Sequence, residues 1–122
     1  MEKTTKDFFK AFPFAFNGIL SVIRKERNIK FHLLATFLVV LLGLFLGISK
    51  TEWLIIVLII AAVLAAEVFN SSLEGICDLL KEENHLDYQR TKFMRDASAG
   101  AVLILAMASV VIGLIIFLPY FL

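Results

Sequence analysis

Apolar positions in this chain fall into one helical stripe and three long runs. Phe8, Phe12, Ala15, Ile19 and Ile23 recur at intervals of four, three, four and four, with Lys6, Lys10, Asn17 and Arg24 largely off the stripe. That spacing belongs to an amphipathic helix. Thr4 and Asp7 have the T-x-x-D spacing of a helix N-terminal cap. Residues 5–27 are therefore read as a helix lying in a membrane interface, with Pro13 as the place where it can bend. The plainer alternative is an anchor and nothing more.

Three membrane spans are expected after it. In residues 31–48 the only polar members are His32 and Thr36, and eighteen residues make roughly 27 Å of helix, close to a hydrocarbon thickness. Residues 53–80 form a longer span that is apolar as far as Phe69 except at Glu67 and then turns polar. Residues 97–122 form the last, with Pro119 near its end, and 81–96 read as a polar loop between the second and third spans. The expected fold class is an all-α membrane protein, an interfacial amphipathic helix plus three transmembrane helices, forming one integral-membrane domain over residues 1–122.

Composition agrees with that picture and closes off several chemistries. The chain has 122 residues, 60% apolar and only 19% charged, with a mean hydropathy of +0.87. Twelve Lys and Arg nearly balance eleven Asp and Glu, so no charge excess suggests nucleic acid as a partner. One cysteine, Cys77, excludes an internal disulfide, and with two histidines it leaves no zinc-type cluster. The six glycines stand apart from one another, so neither G-x-x-x-x-G-K-S/T nor G-x-G-x-x-G exists, and a nucleotide would be handled without a classical phosphate loop. Lys6, Asp7 and Lys10 interrupt the first apolar positions, which argues against a cleavable secretion signal.

Charge placement predicts orientation. Seven of the twelve Lys and Arg lie between Lys3 and Lys30, four between Lys81 and Arg95, and only Lys50 in the short turn 49–52. By the positive-inside bias the N-terminus and the 81–96 loop face the cytoplasm, while the Lys50 turn and the C-terminus face outward.

The informative segment is Ala66–Asp78. Glu67, Asn70, Glu74 and Asp78 are spaced by three, four and four, so at about 100° per residue they share one narrow helix face. A carboxylate near the middle of a bilayer costs on the order of 3 kcal/mol, so such groups face protein, water or a cation. A divalent cation with oxygen ligands, held partly by Glu74, is the simplest compensation for these like charges, and magnesium commonly brings nucleotide phosphates with it. The plainer reading has Glu67 and Asn70 hydrogen-bonding a neighbouring helix and Asp78 capping a solvated end. A proton- or cation-coupled transporter and a structural membrane subunit are rivals of a different class. The acids descend toward the cytoplasmic leaflet rather than cluster at the midplane, which favours ATP-fed chemistry on a lipid headgroup.

With these residues in view the chain resembles the prokaryotic diacylglycerol kinase family, which includes the undecaprenol kinases. The resemblance rests on Glu26-Arg27-Asn28-Ile29-Lys30, on the E-x-x-N-S/T-A/S-I/L-E-x-x-x-D signature standing as Glu67 through Asp78, and on a late block from Arg95 through Leu103. It covers essentially the whole chain. It implies a homotrimer in the bacterial inner membrane, with sites shared between subunits, in which ATP and Mg2+ meet a membrane lipid alcohol. Carried over residue by residue, Glu67 matches the general base, Glu26 and Glu74 the metal-binding carboxylates, Asn70 the signature amide and Asp96 a nucleotide-side aspartate. Lys10 and Gly18 match nucleotide-side positions of the interfacial helix.

This chain departs from the family pattern in the late block. Arg95 stands where lysine usually precedes the aspartate, and about three extra residues lie between His85 and Asp96. Lys92 keeps the usual distance from His85 but not from Asp96, so either Lys92 or Arg95 is the cation for the transferred phosphate, and the two are not interchangeable. Phe14 replaces a common tyrosine near the expected adenine site. His85 reads as a solvated loop residue and Cys77 as a packed small one. Gly43 with Gly47, and Ala97 with Gly100 and Ala101, read as small-residue faces for helix packing, or for the first pair as a lipid-facing accident. The E-R-N-x-K/R-x-H and A-G-A-V-L details lean toward undecaprenol as acceptor, with diacylglycerol the alternative.

Overall fold

The computed structural model describes residues 5–122 and contains, among them, four helices and no strand: α1 (Thr5–Lys25), α2 (Arg27–Leu46), α3 (Lys50–Glu83) and α4 (Tyr88–Phe121). Thr4, the expected cap residue, lies outside the described residues. Helix α1 runs through Pro13 without interruption, and none of its residues is buried. It closes on Arg24 and Lys25, two cations at the negative end of the helix dipole.

One residue separates α1 from α2. Glu26 is extended (φ −99°, ψ 134°), and its N–H still bonds the Val22 carbonyl at 2.9 Å. Its side chain makes no capping bond to α2. Helix α2 therefore begins at Arg27, ahead of the expected start at 31, because the polar stretch 27–30 is helical as well. At its other end Gly47 adopts the left-handed conformation (φ 65°) and its N–H returns to the Gly43 carbonyl at 3.0 Å. Left-handed backbone is nearly free for glycine and costly for most other residues.

The two glycines of α2 thus do different work from the paired packing face expected of them. Gly47 ends the helix. Gly43 is buried against the Trp53 indole, where a Cβ would stand 2.8 Å from Cη2. At Gly100, in contrast, a Cβ would meet nothing within 4 Å, so that small-residue face of α4 is open in the single chain.

The segment 49–52, expected as a turn, opens α3 instead. Ser49 and Glu52 form a reciprocal capping box, with Glu52 N–H donating to Ser49 Oγ at 3.2 Å and Ser49 N–H to Glu52 Oε1 at 2.9 Å. The largest difference from expectation is at 81–96. Most of that loop is helix, and only 84–87 connect α3 to α4, with Asp87 Oδ1 accepting from Arg90 N–H at 3.1 Å. Polarity in 81–96 marks where the helices leave an apolar environment, and the Lys, Glu, Gln and Arg residues there are good helix formers in water. His85 sits exposed in the link with φ 56°.

Helices α3 and α4 have 34 residues each, about 51 Å at 1.5 Å per residue, well beyond a hydrocarbon thickness of ~30 Å. Three helices, α2, α3 and α4, are long and apolar enough to cross a membrane. Helix α3 packs most extensively along α4 and less along α2, while α1 touches α2 and α3 only lightly. The apolar core lies at the Lys50 end, where Ile48, Ile56, Ile116 and Phe117 are buried and Val39, Leu42, Trp53 and Ile112 pack around them. Tyr120 Oη donates to Glu52 Oε1 there, tying the end of α4 to the start of α3. Buried polar side chains gather at the opposite end.

Gly43→Val is expected to destabilise the bundle by about 1–3 kcal/mol, the usual cost of overpacking against a fixed ring. The measurement is the unfolding midpoint in detergent micelles, and an unchanged midpoint would refute the close approach of Trp53.

Candidate functional site

The acidic stripe of α3 passes from core to surface. Glu67 is 4% exposed and Asn70 8%, Glu74 is half-buried and Asp78 is exposed. Burial of ionisable and amide groups requires partners, and here each neighbouring element supplies one. His32 of α2 faces Glu67, Nε2 to Oε1 at 3.2 Å. Ser71 Oγ donates to Glu26 Oε1 at 3.1 Å, bridging α3 to the break between α1 and α2. Arg95 Nη1 of α4 meets Asp78 Oδ1 at 2.9 Å. Asp78 is thus paired with α4 and does not cap a solvated end.

Asn70 is the exception. Its Nδ2 donates to Glu74 Oε1 at 3.4 Å, one turn along the same face, but its Oδ1 is buried with no partner in the chain. An ionised carboxylate only accepts, so the amide nitrogen must face Glu74 and the oxygen is the atom left over. A buried unpartnered oxygen beside a carboxylate is a place where a donor or cation would be satisfied.

Glu26, Ser71, Asn70 and Glu74 are therefore gathered within about one turn of α3, with Glu67 and His32 deeper in the bundle. A shallow cleft adjoins this group between α1 and α3, lined by Gly18, Ser21, Val22 and Lys25 on one side and Val68, Ser71 and Ser72 on the other. Gly18 faces that cleft. Lys10 is exposed further along α1 and does not line it.

Of the late-block residues, Lys92 and Asp96 are exposed and bonded to each other four residues apart on the polar extension of α4. The hydrogen bond and charge of Asp96 hold the Lys92 ammonium above the usual lysine range. Arg95 is committed elsewhere: besides Asp78 it donates from Nε to Thr91 Oγ1 at 3.1 Å and stacks 5.3 Å from the Tyr88 ring centroid. Thr91 is fully buried. Lys92 has the more exposed setting and Arg95 the structural one.

Two residues to which the sequence assigned no site role belong to this cluster, His32 and Ser71. Each left a signal. His32 is one of two polar residues in an otherwise apolar span, and Ser71 is inside the signature. Neither could be paired with its partner without knowing which helix faces lie together.

The donor set is compatible with a hard divalent cation. Among the described residues no three His, Cys, Asp or Glu side chains converge as a dedicated metal cage. Two carboxylates with an amide oxygen nearby nevertheless suit Mg2+, which usually binds through one or two carboxylates plus substrate phosphates and keeps several waters.

The description "prokaryotic diacylglycerol kinase" belongs to the family model that matches residues 13–117. The chain belongs to the prokaryotic diacylglycerol kinase family. It is 40% identical over 112 residues to the undecaprenol kinase of Bacillus subtilis, covering 92% of this chain and 89% of that protein. It is 27% identical over 109 residues to the diacylglycerol kinase of a Synechocystis species, covering 89% of this chain and 61% of that one. No solved structure gives a significant match. As a member of the diacylglycerol kinase family this chain is a membrane-embedded lipid kinase, an enzyme that draws on ATP, rather than a transporter or a structural subunit.

The different settings of the two late-block cations predict separable effects. Arg95→Ala is expected to lower the thermal midpoint in detergent, because it removes the ion pair with Asp78 that joins α4 to α3 and the donor to buried Thr91. Lys92→Ala is expected to leave that midpoint unchanged and to raise KM for ATP. The reverse pattern would exchange the two roles.

Proposed function

We propose that this lipid kinase phosphorylates undecaprenol, passing the γ-phosphate of ATP to the hydroxyl of a long polyprenol and yielding undecaprenyl phosphate. The observation that carries the choice of acceptor is the 40% identity to an undecaprenol kinase over nearly the whole of both chains, against 27% over 61% of a diacylglycerol kinase. Diacylglycerol, which would yield phosphatidic acid, is the competing acceptor.

Phosphoryl transfer asks for alignment and charge neutralisation more than for covalent help from the protein. In this reading Glu67 is the general base toward the lipid hydroxyl. As the acceptor O–H bond breaks, the proton passes to Glu67, the acceptor oxygen bonds phosphorus, and ADP carries off the displaced oxygen. Asn70 orients Glu74 through its amide nitrogen and presents its free oxygen to the reacting groups. Glu26 and Glu74 would hold Mg2+, which when bound neutralises phosphate charge and orients the terminal phosphate. Gly18 lets the nucleotide approach α1 in the cleft beside Ser71, and Lys10, Lys92, Arg95 and Asp96 complete the nucleotide side, Arg95 by fixing α4 against α3.

The cationic ends of α1 and α4 favour an N-terminus in the cytoplasm of a bacterial inner membrane and a C-terminus outside. A homotrimer is the assembled form proposed. Its support is the small-residue face of α4 at Gly100, where a Cβ would meet nothing within 4 Å in a single chain. In such an assembly Lys10, Lys92 and Asp96, which lie away from Glu67 in one chain, can reach a neighbour's cluster. Residues 1–122 act as one catalytic domain.

Incubating purified protein with labelled ATP, Mg2+ and either undecaprenol or diacylglycerol tests this reading. Undecaprenol is expected to take the label at the higher kcat/KM, and preferential labelling of diacylglycerol would reverse the assignment. Glu67→Gln is expected to lower turnover by about 100-fold or more, the scale of general-base catalysis, with the trimer intact by light scattering. Normal turnover in that variant would remove Glu67 from the role.

A further inference from the structure

Two titratable groups shielded from solvent, Cys77 and His32, are left unused by the mechanism above, and His32 is the one that touches Glu67. His32 is a partly buried imidazole on α2 whose Nε2 lies 3.2 Å from Glu67 Oε1. It also heads a narrow cleft of about 90 Å³ between α2, α3 and α4. On α2 the lining begins at His32 and continues through Ala35, Thr36 and Val39; on α3 it ends at Val63, one turn short of Glu67. The lining is otherwise mostly apolar, so it offers His32 few alternative hydrogen-bond partners on that side.

We infer that His32 is a positioning residue for Glu67, donating from Nε2–H to Oε1 so that Oε2 is presented to the hydroxyl of the lipid alcohol. The inference rests on the reading of Glu67 as base. A carboxylate in an apolar bundle has free rotation about its last bond unless one oxygen is held, and a base must sit within hydrogen-bond reach of the proton it takes. His32 is itself held by its helix and by Phe31, whose ring meets the imidazole edge-on at 5.9 Å between centroids. Thr36 Oγ1 donates to the His32 carbonyl at 2.8 Å, bracing the same turn. With Oε1 accepting from His32, the transferred proton ends on Oε2 and the imidazole keeps its own, so protons balance without a further acceptor. The cleft proposed above for ATP, lined by Gly18, Lys25 and Ser71, includes neither His32 nor Glu67.

The test compares His32→Gln, His32→Asn and His32→Leu in the labelled-ATP assay, with Glu67→Gln alongside and the thermal midpoint of each variant in detergent. A glutamine places an amide N–H near the Nε2 position, whereas asparagine is too short to reach Glu67 and leucine cannot donate. His32→Asn and His32→Leu are expected to lose about 10- to 100-fold in kcat, the usual effect of removing a group that orients a reactive one, with KM for ATP unchanged. His32→Gln is expected to recover most of that loss. Full turnover of folded His32→Asn or His32→Leu beside an inactive Glu67→Gln would overturn the inference and leave Glu67 as base. The same holds if folded His32→Gln is as impaired as His32→Asn, or if the loss falls on KM for ATP. Full turnover of Glu67→Gln would remove the base reading and this inference together.

Discussion

A carboxylate drawn among apolar helices has to find a hydrogen-bond partner, and much of the end of this bundle opposite the Lys50 turn is arranged around that requirement. Glu67 is nearly inaccessible and meets His32; Asn70, one turn on, meets Glu74. The cost of burying these groups without partners is several times the net value of an ordinary hydrogen bond. The register of α3 against α2 is therefore constrained at a polar contact as much as by packing. A slip of one residue along α3 would turn Glu67 by about 100° and break the contact with His32.

That constraint is set at one end while most of the apolar core is at the other. Ile48, Ile56, Ile116 and Phe117 hold the α2–α3 turn and the end of α4 together, with Gly43 admitting Trp53 and Tyr120 closing on Glu52. The opposite end has fewer buried apolar residues and more pairwise polar contacts, and α1 rests there with no buried residue.

The break at Glu26 shows how a small backbone irregularity serves the site. An N-cap residue commonly bonds its own helix, yet Glu26 leaves α2 uncapped and accepts from Ser71 of α3. A carboxylate so placed is available to a ligand between two helices. The interruption also lets α1 leave the direction of α2 and form the cleft that Gly18 lines.

Much of this was legible in the chain. The stripe of α1, the three spans and the common face of Glu67, Asn70, Glu74 and Asp78 follow from helical period and hydropathy, which are local properties. The signature carried the family. Polarity at 81–96 was misleading, because a helix can continue past the edge of an apolar layer once its side chains suit water. The role of Gly43 was also hidden: its spacing from Gly47 suggests a packing face, and only the position of Trp53 shows that the space is filled from within the same chain. Sequence alone thus determined which helices exist, which faces are apolar and which acids lie in register. Tertiary structure decided that His32 is opposite Glu67, that Ser71 joins Glu26 and that Arg95 is engaged by Asp78 while Lys92 is not. These are contacts between residues distant in the chain, and their energies depend on how helices are rotated against one another, which no local periodicity specifies.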